Sequence, residues 1–94
     1  MTELRDSDPT KRRFTATQGQ YLAFIWTYTL LHRQAPAERD MQHFFCVSPP
    51  SVHQMVLTLE RNGLISRTPR VARSIQICVD PDSLPKLRPV RPDP

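Results

Sequence analysis

Glycine and cysteine are both scarce in this chain, at two residues each in 94, and no apolar run approaches the ~20 residues of a membrane span. With only Gly19 and Gly63, a glycine-rich phosphate loop cannot be built. No Ser, Cys or Lys sits in a recognised nucleophile motif, so the expected function is not enzymatic. Cys46 and Cys78 form no CxxC pair, and no apolar signal segment follows the polar N-terminus. The cysteines are therefore expected to be reduced, and the protein cytoplasmic. Set beside His32, His43 and His53, they match no zinc spacing, so neither metal nor cofactor is expected.

Charge of one sign is missing from two successive stretches. Residues 41–60 contain no Lys or Arg, and residues 61–79 contain no Asp or Glu. The second stretch carries Arg61, Arg67, Arg70 and Arg73, and a further basic cluster, Lys11-Arg12-Arg13, lies near the N-terminus. The formal net charge is +4, which favours a polyanionic partner.

What is present has a readable order. Residues 1–13 are polar and basic and read as a flexible arm. Thr17-Gln18-Gly19-Gln20 has the form of a capping box opening a first helix, with Tyr21, Leu22, Phe24, Ile25, Tyr28 and Thr29 on one stripe. Pro36 suits the first position of a short second helix, and Glu38 and Asp40 suit its dipole. Met41 and Phe44 or Phe45 are its core residues. Ser48-Pro49-Pro50-Ser51 opens a third helix, with the Ser48 hydroxyl expected to cap the Ser51 N–H. Val52, Met55, Val56 and Leu59 form its stripe, and Asn62-Gly63 ends it.

Two strands are expected next, Leu64 to Thr68 and Arg73 to Val79, turning at Pro69-Arg70-Val71-Ala72. A proline-rich tail occupies residues 81–94, with Leu84 and Leu87 able to pin its start. Three helices followed by a two-stranded hairpin give the expected fold, an α+β winged helix-turn-helix domain over residues 14–80.

Several pieces carry a family resemblance. They are the opening Thr-x-x-Gln helix, the Ser48-Pro49 helix start, Leu59-Glu60-Arg61-Asn62-Gly63-Leu64-Ile65, and Ala72-Arg73-Ser74-Ile75 returning from the hairpin. Together they resemble the N-terminal DNA-binding domain of LexA-type repressors, from about Thr17 to Val79. Cys46 replaces the usual turn glycine, and no Ser or Thr cap stands near Pro36. The self-cleaving protease domain has no counterpart in these 94 residues, so the expectation is the DNA-binding domain standing alone, without cleavage-driven induction.

The resemblance implies a transcriptional regulator that binds double-stranded DNA sequence-specifically. Its third helix, about Ser48 to Asn62, would enter the major groove. Ser48, Pro50, Ser51, His53 and Gln54 would then face base edges. Phosphate contacts would fall to Arg61, to Arg67, Arg70 and Arg73 of the wing, and to Arg12 and Arg13 of the arm. The alternative is a winged-helix adaptor that binds protein. On the first helix, Trp26 and Leu30 lie to one side of the stripe, four residues apart, and are expected to contact a second copy or a partner protein.

Overall fold

The computed structural model describes residues 13–90. Three α-helices, α1 (Ala16–His32), α2 (Glu38–Phe45) and α3 (Pro49–Arg61), precede an antiparallel pair, β1 (Ile65–Ser66) and β2 (Gln76–Ile77). This is the winged helix-turn-helix order. A single turn of 3-10 helix follows at Pro81–Ser83.

The capping box of α1 forms two residues earlier than expected. Gln18 N–H donates to Thr15 Oγ1 at 3.1 Å, and Thr15 N–H donates to Gln18 Oε1 at 2.9 Å. Both Thr15/Gln18 and Thr17/Gln20 fit the T-x-x-Q pattern. The earlier pair wins because Gln20 is engaged elsewhere. Its Nε2 donates to the Lys86 carbonyl at 2.8 Å, while its Oε1 accepts from the Arg88 N–H at 2.8 Å. One amide thus grips the backbone of the C-terminal segment from both sides.

Helix α2 also starts later than Pro36 suggests. Ala37 is the N-cap, and its N–H donates to the Asp40 carboxylate at 2.8 Å. Pro36 lies one residue outside the helix and is fully buried. Cys46 ends α2 in the left-handed conformation, φ 56°, that glycine would adopt without cost. Helix α3 opens as the sequence implies, with Ser51 N–H reaching the Ser48 hydroxyl at 3.4 Å. Gly63, with φ 74°, turns the chain out of it.

The core joins all three helices to the hairpin. Leu22 and Ile25 of α1, Met41 of α2, and Val52, Val56 and Leu59 of α3 are essentially inaccessible, as are Leu64 and Ile65. Ile75 and Val79 close the core from the returning strand, with exposed Gln76 and Cys78 alternating against them. Aromatic contacts seal α1 against α2: Tyr21 stacks on Phe45 at 4.0 Å, and Phe24 meets Phe44 at 4.8 Å. Burial raises the Tyr21 phenol above its ordinary pKa.

Regular pairing in the hairpin is shorter than expected, covering Ile65–Ile77 and Ser66–Gln76, with one further bond from Cys78 N–H to the Leu64 carbonyl. Beyond it, side-chain bonds replace the ladder. Ser74 Oγ accepts from the Thr68 N–H at 2.9 Å and donates to the Thr68 carbonyl at 3.1 Å. Arg70 and Arg73 both take positive φ, which bends the loop out of strand geometry.

The segment after the wing packs back on the helices. Leu84 and Leu87 lie against the core. The approach over α1 is close: a Cβ on Gly19 would stand 2.9 Å from Pro85 Cγ and 3.0 Å from the Phe14 ring.

Candidate nucleic-acid interface

Helix α3 buries Val52, Val56 and Leu59 and so turns its opposite face outward. Pro50, Gln54 and Arg61 run along that outer face, at spacings of four and seven residues. The stripe is about 16 Å long. Ser48, Pro50, Ser51, His53 and Gln54 are all exposed, so the structure gathers the five expected base readers at one end of one helix. The face is nearly neutral. Its one cation, Arg61, sits at the C-terminal end with Nη2 3.4 Å from Thr58 Oγ1.

His53 is not a simple surface residue. Its Nδ1 lies 3.2 and 3.3 Å from the two carboxylate oxygens of Glu38, at the start of α2. Glu38 also lies 3.9 Å from Arg67, which bonds Glu60 through Nε at 3.1 Å and Nη2 at 3.0 Å. A chain of charges therefore runs from α3 through α2 to the base of the wing and back to α3.

The wing arginines divide. Arg73 turns inward. Its Nη1 reaches Tyr28 Oη at 3.1 Å, Asp40 Oδ2 at 3.0 Å and the Ala35 carbonyl at 3.3 Å. The Tyr28 hydroxyl and then Asp40 hold this guanidinium above its ordinary pKa, against the effect of burial. At Asp40, burial works in the other direction and would raise the carboxyl. The Ala37 N–H, the Arg73 guanidinium and the Tyr28 hydroxyl outweigh it and hold Asp40 below the usual carboxylate range. Arg67 is likewise occupied by Glu60 and Glu38. Arg70, at the loop tip, is exposed, and no ion pair among the described residues holds it. A groove of about 540 Å³ separates the loop from the start of α2, and these arginines and Glu38 and Glu60 line it.

Arg13 is exposed at the entrance to α1, whereas Arg12 lies outside the described residues. Trp26 is half-buried beside a groove of about 280 Å³ shared with Ile25, Thr29, Ile75 and Ile77. Leu30 is 60% exposed and its neighbour Leu31 73% exposed, so an apolar patch on α1 exists but extends further along the chain than Trp26 and Leu30 alone. Cys46 and Cys78 are exposed and form no disulfide. Among the described residues, no three His, Cys, Asp or Glu side chains come together, and no helix is long and apolar enough to cross a membrane.

Sequence reasoning missed the roles of three side chains. Glu38 and Asp40 were legible only as favourable charges at a helix start, yet each holds an arginine of the wing. Gln20 looked like half of a capping box.

The architecture and the outward face of its third helix define a winged helix-turn-helix module. No family model matches the chain. It is, however, similar to LexA repressors: 33% identical over 73 residues to that of Thermosipho africanus and 32% identical over 73 residues to that of Thermosipho melanesiensis, in each case 78% of this chain and 37% of the relative. The LexA repressor of Petrotoga mobilis is 39% identical over 64 residues, 67% of this chain and 31% of the relative. The chain is thus homologous to LexA repressors over most of its residues, and spans about a third of the length of the curated relatives it matches.

Proposed function

We propose that this chain is a non-enzymatic transcriptional regulator that binds double-stranded DNA, with α3 in the major groove. The carrying observation is the outer face of α3: exposed, polar and uncommitted to the core from Ser48 to Gln54, on a helix locked in place by three fully buried side chains. Similarity to LexA repressors supports the same reading. Gln54 suits a two-point contact with adenine, Pro50 a thymine methyl, and Ser48, Ser51 and His53 single bonds to base edges. Arg70 at the wing tip, Arg61 and the Arg12-Arg13 pair supply phosphate contacts. Arg67 and Arg73 add positive potential, but their guanidinium groups first serve the fold.

Selection from randomised duplexes defines the preferred site. Gln54→Ala is expected to weaken binding to that site by about 1–3 kcal/mol and to leave binding to random duplex nearly unchanged. Equal losses on both would remove Gln54 from the reading face. Arg70→Ala is expected to weaken binding to all duplexes and to shallow the log–log salt slope by about one unit. An unaltered slope would take the wing tip off the DNA. Absence of binding to any duplex in a mobility-shift assay would favour the adaptor reading.

A single module of this kind covers only roughly 600–1,000 Å² of protein surface on DNA. The α1 patch of Trp26 and Leu30, with Leu31 beside them, is the proposed contact with a second copy or a partner protein. Sedimentation of wild type against Trp26→Ala/Leu30→Ser tests it. A wild type that is monomeric in solution and binds one copy per site excludes the homodimer.

A further inference from the structure

The Glu38–His53 contact has a chemical consequence for what α3 can read. Glu38 presents both carboxylate oxygens to His53 Nδ1, at 3.2 and 3.3 Å. An ionised carboxylate only accepts hydrogen bonds, so Nδ1 must carry the proton. In the neutral imidazole, Nε2 is then a bare acceptor on the far side of the ring. Ordinary histidines in water exchange between the two tautomers; a carboxylate this close to Nδ1 favours one of them. The His53 side chain remains 55% exposed. Glu38 is fixed in turn. It stands in the first turn of α2, and Arg67 lies 3.9 Å away, itself gripped by Glu60 from α3.

We infer that His53 reads an exocyclic amino group in the major groove, N6 of adenine or N4 of cytosine, with Nε2 accepting, and that Glu38 is the positioning residue that imposes this choice. The inference rests on the proposed placement of α3. Adenine and cytosine are the bases that offer a donor on that edge, whereas guanine offers only acceptors and thymine an acceptor and a methyl. An unlocked His53 could donate from Nε2 to guanine N7 or O6 instead. Glu38 therefore selects between two classes of base without touching DNA. The charged group in contact with the ring is Glu38 from α2; Arg67 is linked to the ring only through Glu38, and Glu60, two turns along α3, only through Arg67.

Two measurements test this, one without DNA. Long-range proton–nitrogen correlation spectra of the full chain at about pH 8, above the ordinary imidazole pKa, report which ring nitrogen is protonated. Wild type is expected to show a protonated Nδ1 and a bare Nε2, and Glu38→Gln a mixture of the two forms. A wild-type ring already mixed, or protonated on Nε2, would overturn the lock. The second measurement uses the selected duplex with single-atom changes: purine for adenine or 2-pyrimidinone for cytosine, which delete the amino group, and 7-deaza purines, which delete N7.

At one position the amino deletion is expected to weaken wild type about three- to tenfold, the scale of one hydrogen bond. It should weaken His53→Ala hardly at all, and Glu38→Gln by an intermediate factor. Coupling of His53 to an N7 deletion instead would overturn the inference while leaving the DNA-binding reading intact. So would the lack of coupling to any amino group. Failure to bind any duplex would overturn both.

Discussion

Helix α3 and the wing lie side by side but are held by different forces. The helix is fixed by burial: Val52, Val56 and Leu59 are inaccessible, and no charge of its own is needed to seat it. The wing has two paired residues per strand; its base is buried at Ile65, Ile75 and Val79, but its loop is held by polar bonds. Ser74 closes its loop, Arg67 ties its base to Glu60, and Arg73 ties its return to Asp40, Tyr28 and Ala35. Burial is not weakened by charge screening or by mild acid, whereas ion pairs are weakened by both. The two elements should therefore fail under different conditions, the helix only with the whole domain and the wing loop before it.

The sharpest break of the first half is Leu59→Ala. It leaves a cavity where α3 meets the core and is expected to cost about 2–5 kcal/mol in denaturant unfolding. Loss of the entire transition together, by fluorescence and by circular dichroism, would confirm that α3 and the domain stand or fall as one.

Asp40→Ala attacks the second half. It removes the cap of α2 and the anchor of Arg73 at once, and about 1–2 kcal/mol is expected. The effect also has a pH signature. The Asp40 carboxyl is held below its ordinary pKa, so its contribution is complete above the range in which an unfolded aspartate ionises. That contribution fades as pH falls from this range through the depressed native value. Wild type should thus lose more stability than Asp40→Ala between about pH 5 and pH 2. Equal losses in the two proteins would mean that Asp40 is not tuned by its neighbours.

The smallest expected effect has the opposite sign. Cys46 sits at φ 56° in the turn that aims α3, while Gly63 meets the same backbone demand at the far end of the helix without a side chain. Cys46→Gly is expected to stabilise the domain by about 1 kcal/mol, offset in part by the entropy glycine adds to the unfolded chain. A loss of stability would show that the Cys46 side chain, with Sγ 3.8 Å from the His43 carbonyl, contributes more than its strain removes.

These two modes of support also explain what could be read in advance. Caps and stripes are local, so Ser48-Pro49-Pro50-Ser51 announced α3 and its stripe announced the core. Gly63 likewise marked where the helix stops. The exposure of Pro50, Ser51, His53 and Gln54 opposite that stripe followed from the same periodicity, whereas the role proposed for them rests on the family resemblance. Polar anchoring is long-range and left no such trace. Arg67, Arg70 and Arg73 look alike in the sequence, because the carboxylates that sort them are 7 residues away for Arg67 and 33 for Arg73. The Thr15 and Thr17 frames were locally equivalent, and only the distant backbone at Lys86 and Arg88 decided between them.

The close packing over Gly19 bears on how the chain is connected. Phe14 and Pro85 meet there, so the polypeptide enters and leaves the described domain at one corner. At most about 17 Å of extended backbone lies between Pro85 and Val90. A short peptide joining residue 90 to residue 13 would therefore make a ring with little distortion, and new termini could be opened at the exposed tip around Arg70. Such a circular permutant would keep the order of contacts in the core while cutting the wing loop. It would test, in one molecule, the proposed division of DNA contacts between the wing and α3.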